Sequence, residues 1–240
     1  MNISINDYRT MYAKHEVSRQ RRIKALSLPN YTFTEEMLNC VTHAIGAVMG
    51  IVGLFMTMSL LIPTGNVAAI ASTAVFCVAL VVLYTNSAVY HGWSLTRMKK
   101  YFQIIDHCSV FLLIAGTYTP FTLMVMGDMA GKIIFAVVAI ASAVGIALNI
   151  IDMKKYSKVS MFCYLATGWC IIFAFGSISA ALSFNQLMLL VGGGVAYTVG
   201  AVLYGIGAKV RYMHTVWHLF VLLGSLLHYA CLYSFILSNF

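Results

Sequence analysis

The chain has 240 residues, of which 61% are apolar and only 9% charged. A soluble domain carries about 25% charged residues, so there is too little polar surface to dissolve a globule of this size, and the composition defines an integral membrane protein. The formal net charge of +8 does not mark a nucleic-acid binder, because Lys and Arg lie in the N-terminal stretch and in short connections between apolar runs, where positive charge sets membrane orientation.

Residues 1–34 read as a basic tail carrying Arg9, Lys14, Arg19, Arg21, Arg22 and Lys24. Nothing in it resembles the apolar core and small-residue cleavage site of a signal peptide. It reads as a solvated cytoplasmic tail, or as a segment touching anionic lipid headgroups through Arg19–Lys24. Seven apolar runs follow, at about 41–62, 67–91, 104–126, 132–151, 159–182, 187–207 and 213–237. Each is near the ~20 residues that a spanning helix needs. Pro63-Thr-Gly-Asn66 is a tight turn between the first two. No soluble insertion interrupts the series, so residues 35–240 are predicted to form one all-α, seven-transmembrane helix domain.

Pro120 should kink the third helix, with Thr117 or water satisfying the freed backbone. Gly192–Gly194, Gly200, Gly205 and Gly207 give the sixth run small faces for close packing. The six cysteines form no C-x-x-C pair and read as small buried apolar residues.

Orientation follows from charge. Fourteen of the fifteen Lys and Arg lie in the tail or in the 2–3 (Arg97, Lys99, Lys100), 4–5 (Lys154, Lys155, Lys158) and 6–7 (Lys209, Arg211) connections, and Lys132 alone lies on the other side. The positive-inside rule puts the N-terminus in the cytoplasm and Phe240 outside the cell membrane. G-protein-coupled receptors have the opposite orientation. Retinal proteins need a lysine in the seventh helix, and no Lys follows Lys209.

With the topology set, three segments bring ionisable groups to one depth at the cytoplasmic edge. The second run ends in Ser87-Ala-Val-Tyr-His91, the third begins with Asp106-His107, and the seventh begins His214-Thr-Val-Trp-His218. Residues four apart share a helix face, about 40° off alignment. Ionisable groups in a membrane segment are costly and need a reason. Any one interfacial histidine is explained by a hydrogen bond to a carbonyl or headgroup. The set is better explained by a metal: three imidazoles are a typical catalytic zinc shell with the fourth position open. Asp106 then serves as orienter or general base, and Ser87 as hydrogen-bond donor to water or substrate oxygen. The Glu of H-E-x-x-H is absent, so no base comes from the helix of His214 and His218.

Weaker candidates are the stripe Glu36, Asn39 and His43, which capping explains equally well. His107 points about 100° from Asp106 and stays outside the shell. His228, about 15 Å deeper than His218 at 1.5 Å per residue, is expected to hydrogen-bond within the bundle. His15 reads as solvated, and Asp152 as facing the nearby lysines.

Four stretches resemble the hemolysin III branch of the progestin and adipoQ receptor family: Glu35–Gly46, Ser87–His91, Asp106–Phe121 and His214–Ser225. The resemblance covers about residue 33 to the end. It implies seven helices with a cytoplasmic-side zinc held by His91, His214 and His218. It also places Ser87 and Asp106 on positions shared with alkaline ceramidases and related membrane hydrolases. The expected function is a zinc-dependent hydrolase of a lipid amide or ester in membrane lipid homeostasis, with membrane lipids as partners and neither nucleic acid nor a soluble protein partner. The alternatives are a non-enzymatic sensor with structural zinc and a cytolytic pore of the hemolysin type.

Overall fold

The structure, a computed structural model, describes residues 5–207 and 210–240, with the side chains of residues 5–9, 12 and 15 outside the description. The expectations for Arg9, His15 and Lys209 therefore fall outside the described residues. All regular structure among the described residues is helical. The helices are α1 (Ile5–Leu26), α2 (Phe33–Leu61), α3 (Val67–Gly92), α4 (Arg97–Pro120), α5 (Met129–Gly168), α6 (Phe175–Ala181), α7 (Phe184–Gly207) and α8 (Met213–Asn239).

Among the described residues, six stretches are long and apolar enough to cross a membrane. The difference from the seven runs read from sequence lies in one place. The fourth and fifth runs join in a helical stretch over Met129–Ala181, 53 residues long. It is broken at Asp152, whose φ of −161° and ψ of 89° are not helical. Asp152 does not simply face the neighbouring lysines. Its Oδ1 accepts a hydrogen bond from the backbone N–H of Lys155 at 2.9 Å, so it caps the second half of α5.

Other boundaries also move for identifiable reasons. α2 begins well before residue 41 because Thr32 and Glu35 form a capping box: Glu35 N–H donates to Thr32 Oγ1 (3.2 Å) and Thr32 N–H to Glu35 Oε2 (2.8 Å). α4 begins at Arg97, so Arg97, Lys99 and Lys100 are helical rather than in a connection. The 1–34 tail contains a helix, α1. At the Pro63–Asn66 turn, Gly65 takes the left-handed φ of 66° that a Cβ would disfavour. Pro120 ends α4, and the chain continues as a π-helical turn over Phe121–Met126. Thr117 takes no part in repairing the ladder there, because its hydroxyl donates to Leu113 O at 2.8 Å.

α3 packs between α2 and α4, α8 packs between α2 and α7, and α5 packs on α4. The main core cluster includes Phe76, Leu80 and Leu83 of α3 and Val221, Leu232 and Ile236 of α8. Outward faces of α2, α5 and α7 stay apolar and exposed, Phe55, Ile151 and Phe184 among them, as lipid-facing surfaces require. Described cysteines are all free.

The α4–α5 contact depends on a missing side chain. A Cβ at Gly145 would lie 2.1 Å from Cζ of Phe111, which is fully buried. Gly145→Ala should overpack this contact and cost about 1–3 kcal/mol, read as a lower midpoint of thermal unfolding in detergent. An unchanged midpoint would show that the helices separate freely here.

Candidate metal centre

α8 carries His214 and His218 on one face near its start, and α3 carries His91 in its last turn. The structure brings all three together. His214 Nε2 lies 3.3 Å from His91 Nε2 and 3.2 Å from His218 Nε2, and all three residues are buried. Among the described residues they form a group whose ligand atoms lie within 4.8 Å of one another. Asp106 and His107 stand outside that group.

Hydrogen bonding on the far side of two rings fixes what their Nε2 atoms can be. His91 Nδ1 is 2.7 Å from Glu36 Oε2. His218 Nδ1 is 3.2 Å from the Asn39 carbonyl oxygen, with Thr42 Oγ1 at 3.3 Å. A carbonyl oxygen and a carboxylate only accept, so each Nδ1 carries the hydrogen. In the neutral rings both Nε2 atoms then present lone pairs toward the centre. His214 Nε2 can donate to one of them at most, so at least one inward-facing lone pair is left without a hydrogen-bond donor. A cation between the rings satisfies it. The donor set, three imidazoles of which His91 and His218 have their Nδ1–H held by a carboxylate and a carbonyl, fits zinc.

The surroundings are supplied mainly by α2. Asn39 Oδ1 accepts from Thr215 Oγ1 at 2.6 Å, tying α2 to α8. Glu35 Oε1 accepts from the backbone N–H of Tyr212 at 2.8 Å, at the residue that opens α8 with a φ of 61°. The ring of His43 stacks on His218 with centroids 3.6 Å apart. Thus Glu36, Asn39 and His43 do face the cluster as one stripe. Above it, the Tyr31 ring stacks on His214 at 4.9 Å. Burial, with the Tyr204 phenol and nearby carboxylates adding to it, raises the Tyr31 phenol well above its ordinary range, so it stays neutral.

Ser87 and Asp106 meet the cluster through a cavity of about 160 Å³. That is room for several waters, since one needs about 10–15 Å³. His43, His214 and His218 line the same cavity, which runs along the bundle to His228. Ser87 Oγ is buried and has no hydrogen-bond partner, although the Asp106 carboxylate is near enough to interact with it. Both ring nitrogens of buried His43 are also unpaired. Orphaned buried polar atoms mark places where water or a ligand binds. His228 bonds within the bundle as expected, Nε2 to Leu190 O at 3.0 Å. His107 lines the cavity without joining the three histidines.

One residue was invisible to pattern reading. Lys99 counted as a loop cation, yet its side chain is 2% exposed and its Nζ is 3.1 Å from Glu36 Oε1. No spacing in the sequence signals that contact.

A multi-pass helical membrane protein with a buried three-histidine cluster at the start of its last helix is the class that these features define. The model of the family described as Haemolysin-III related matches residues 31–229, and the chain belongs to that family. It is 34% identical over 205 residues to Hemolysin-3 of Bacillus cereus, covering 85% of this chain and 93% of that protein. It is 35% identical over 201 residues to the Hemolysin-3 homolog of Bacillus subtilis (strain 168), covering 84% and 94%. Monocyte to macrophage differentiation factor of Homo sapiens is similar at 25% over 211 residues, covering 85% and 86%.

The purified protein is expected to carry zinc in proportion to intact histidines. His214→Ala/His218→Ala should lose it, as measured by elemental analysis, and equal content in the two proteins would show that the cluster is not the metal centre.

Proposed function

We propose that this protein is a zinc-dependent hydrolase of a lipid amide or ester, resident in the cell membrane and acting on membrane lipids. The observation that carries the reading is that three imidazole nitrogens converge beside a cavity that also holds Ser87 and Asp106. Structural zinc normally takes four protein ligands, whereas a catalytic site keeps a position open. Three converging ligands therefore favour catalysis over a zinc that only ties helices together. The name Hemolysin-3 attaches to the Bacillus cereus relative. The apolar exposed faces of this bundle suit residence in lipid better than a secreted cytolytic pore.

His91, His214 and His218 would hold the zinc ion, which when bound would supply Lewis acidity to a water and to the scissile carbonyl. The chain's own residues do the rest. Asp106 is on the cavity wall to accept a proton from the attacking water, and Ser87 Oγ is free to donate to the substrate oxygen as negative charge builds there. The substrate carbonyl reaches headgroup depth while its apolar tail follows the cavity toward His228.

In the membrane we count the broken stretch over 129–181 as two crossings. Its 53 residues exceed the ~20 of a single span, and the break at Asp152 lies among Lys154, Lys155 and Lys158. That gives seven helices in the unit 35–240, with the basic 1–34 segment in the cytoplasm and Phe240 outside. Alkaline phosphatase fused after Phe240 should then be active in bacterial cells, and activity of a fluorescent cytoplasmic reporter at the same point instead would reverse the orientation.

Hydrolysis is tested with the zinc-loaded protein in vesicles containing N-acyl and O-acyl lipids, by fatty-acid release. Asp106→Asn should keep zinc and lose turnover by about 100-fold or more, the usual contribution of a general base. Full turnover by this variant would remove Asp106 from that role, and no release from any lipid by the zinc-loaded wild type would overturn the hydrolase reading.

A further inference from the structure

We propose that Glu36 and the buried Lys99 form a charge pair that positions His91 and sets the charge at the metal centre, with Glu36 as the positioning residue. The proposal rests on the three-histidine zinc reading and adds to it two residues that the reading does not use.

Geometry assigns each group a place. The Glu36 carboxylate is shared: Oε2 is 2.7 Å from His91 Nδ1, and Oε1 is 3.1 Å from Lys99 Nζ. The Glu36 side chain is 16% exposed and that of Lys99 2%. Lys99 also donates to three carbonyls at the end of α3: Tyr90 O at 2.8 Å, His91 O at 3.2 Å and Trp93 O at 3.1 Å. A lysine almost never buries itself unless it is paired, and one partner removed from a buried pair leaves a costly lone charge. Here four acceptors surround one ammonium. It sits at the C-terminus of α3, where the helix dipole favours a cation.

Two consequences follow for His91. Its backbone is held by Lys99 through its own carbonyl, and its ring is held by Glu36 through Nδ1. Both the reach and the tilt of its Nε2 are thus set by the pair. The charges also act on the metal in opposite directions. The carboxylate makes His91 a stronger donor, and the ammonium offsets part of that negative charge in a region of low dielectric. The pair gives a firmly held ligand without an excessively tight centre.

The test measures zinc affinity by competition with a chromophoric chelator, and records the visible bands of the cobalt-substituted protein at saturating metal. It uses the full-length protein in detergent. Glu36→Gln should bind zinc 10–100-fold more weakly and shift the cobalt bands. Lys99→Gln, which keeps donors for the α3 carbonyls but removes the charge, should bind zinc more tightly than wild type while lowering the thermal midpoint. Glu36→Asp, with a shorter reach to His91, is the second variant should Glu36→Gln fail to fold, and it too should weaken zinc. Unchanged affinity and cobalt bands in the Glu36 variants would overturn the proposal, as would equal weakening by Lys99→Gln and Glu36→Gln. A wild type that binds no zinc would instead overturn the metal reading beneath it.

Discussion

Hydrocarbon offers no partner to a polar group, so every such group inside the bundle must find one in the protein. That constraint sorts the buried polar residues into two kinds. Deep in the bundle some are satisfied among themselves, while Thr73 Oγ1, Ser142 Oγ and His228 Nδ1 are not. Tyr84 donates to Ser225 Oγ at 2.6 Å, with Tyr197 OH 2.7 Å from the same oxygen. These bonds join α3, α7 and α8 and leave nothing over. At the histidine end the accounts do not close: Ser87 Oγ and both nitrogens of His43 are unpaired, and three Nε2 atoms face each other. The first kind is architecture. The second is where something else has to bind.

How much of this was legible in the sequence depends on the range of the interaction. Pairs four residues apart were legible, because helix geometry alone puts Ser87 with His91 and His214 with His218. Charge counting then proposed a common depth for α3, α4 and α8, and the convergence of His91 with His214 and His218 agrees with it. Residues that depend on a neighbouring helix were not legible. Lys99 looked like one more cytoplasmic cation, since nothing local separates a lysine that snorkels outward from one that turns inward to cap another helix. The stripe Glu36, Asn39, His43 had the right period, but capping of α2 explained it equally well until the contacts to His91 and His218 were seen.

The N-terminal stretch shows the same limit. Its composition is that of a solvated tail, yet Ile23 and Leu28 are buried against Tyr90, next to His91. Arg19 donates a hydrogen bond to the carbonyl of Tyr31, whose ring covers His214. Ile23 of α1 and Leu28 just after it pack on Tyr90 of α3, which suffices to seat a helix that is polar on average. The cluster is therefore roofed on this side, and its open approach is through the cavity.

That places weight on the break at Asp152. A straight helix through α5 could not present both of its halves to the cavity. The halves are clasped across the break: Ser160 donates to Asn149 Oδ1 at 2.7 Å and Asn149 Nδ2 to the Tyr164 hydroxyl at 3.2 Å. Tyr164 in turn donates to His107 O at 2.9 Å, one residue from Asp106. The second half of α5 then turns Ser157, Ser160, Met161 and Tyr164, spaced as one helix face, toward the same cavity as Asp106. The non-helical residue that divides the fourth and fifth apolar runs is thus also the residue that gives the centre its far wall. A sequence window tuned to hydropathy sees only the gap between two runs; the polar clasp that turns the gap into a wall is a tertiary feature.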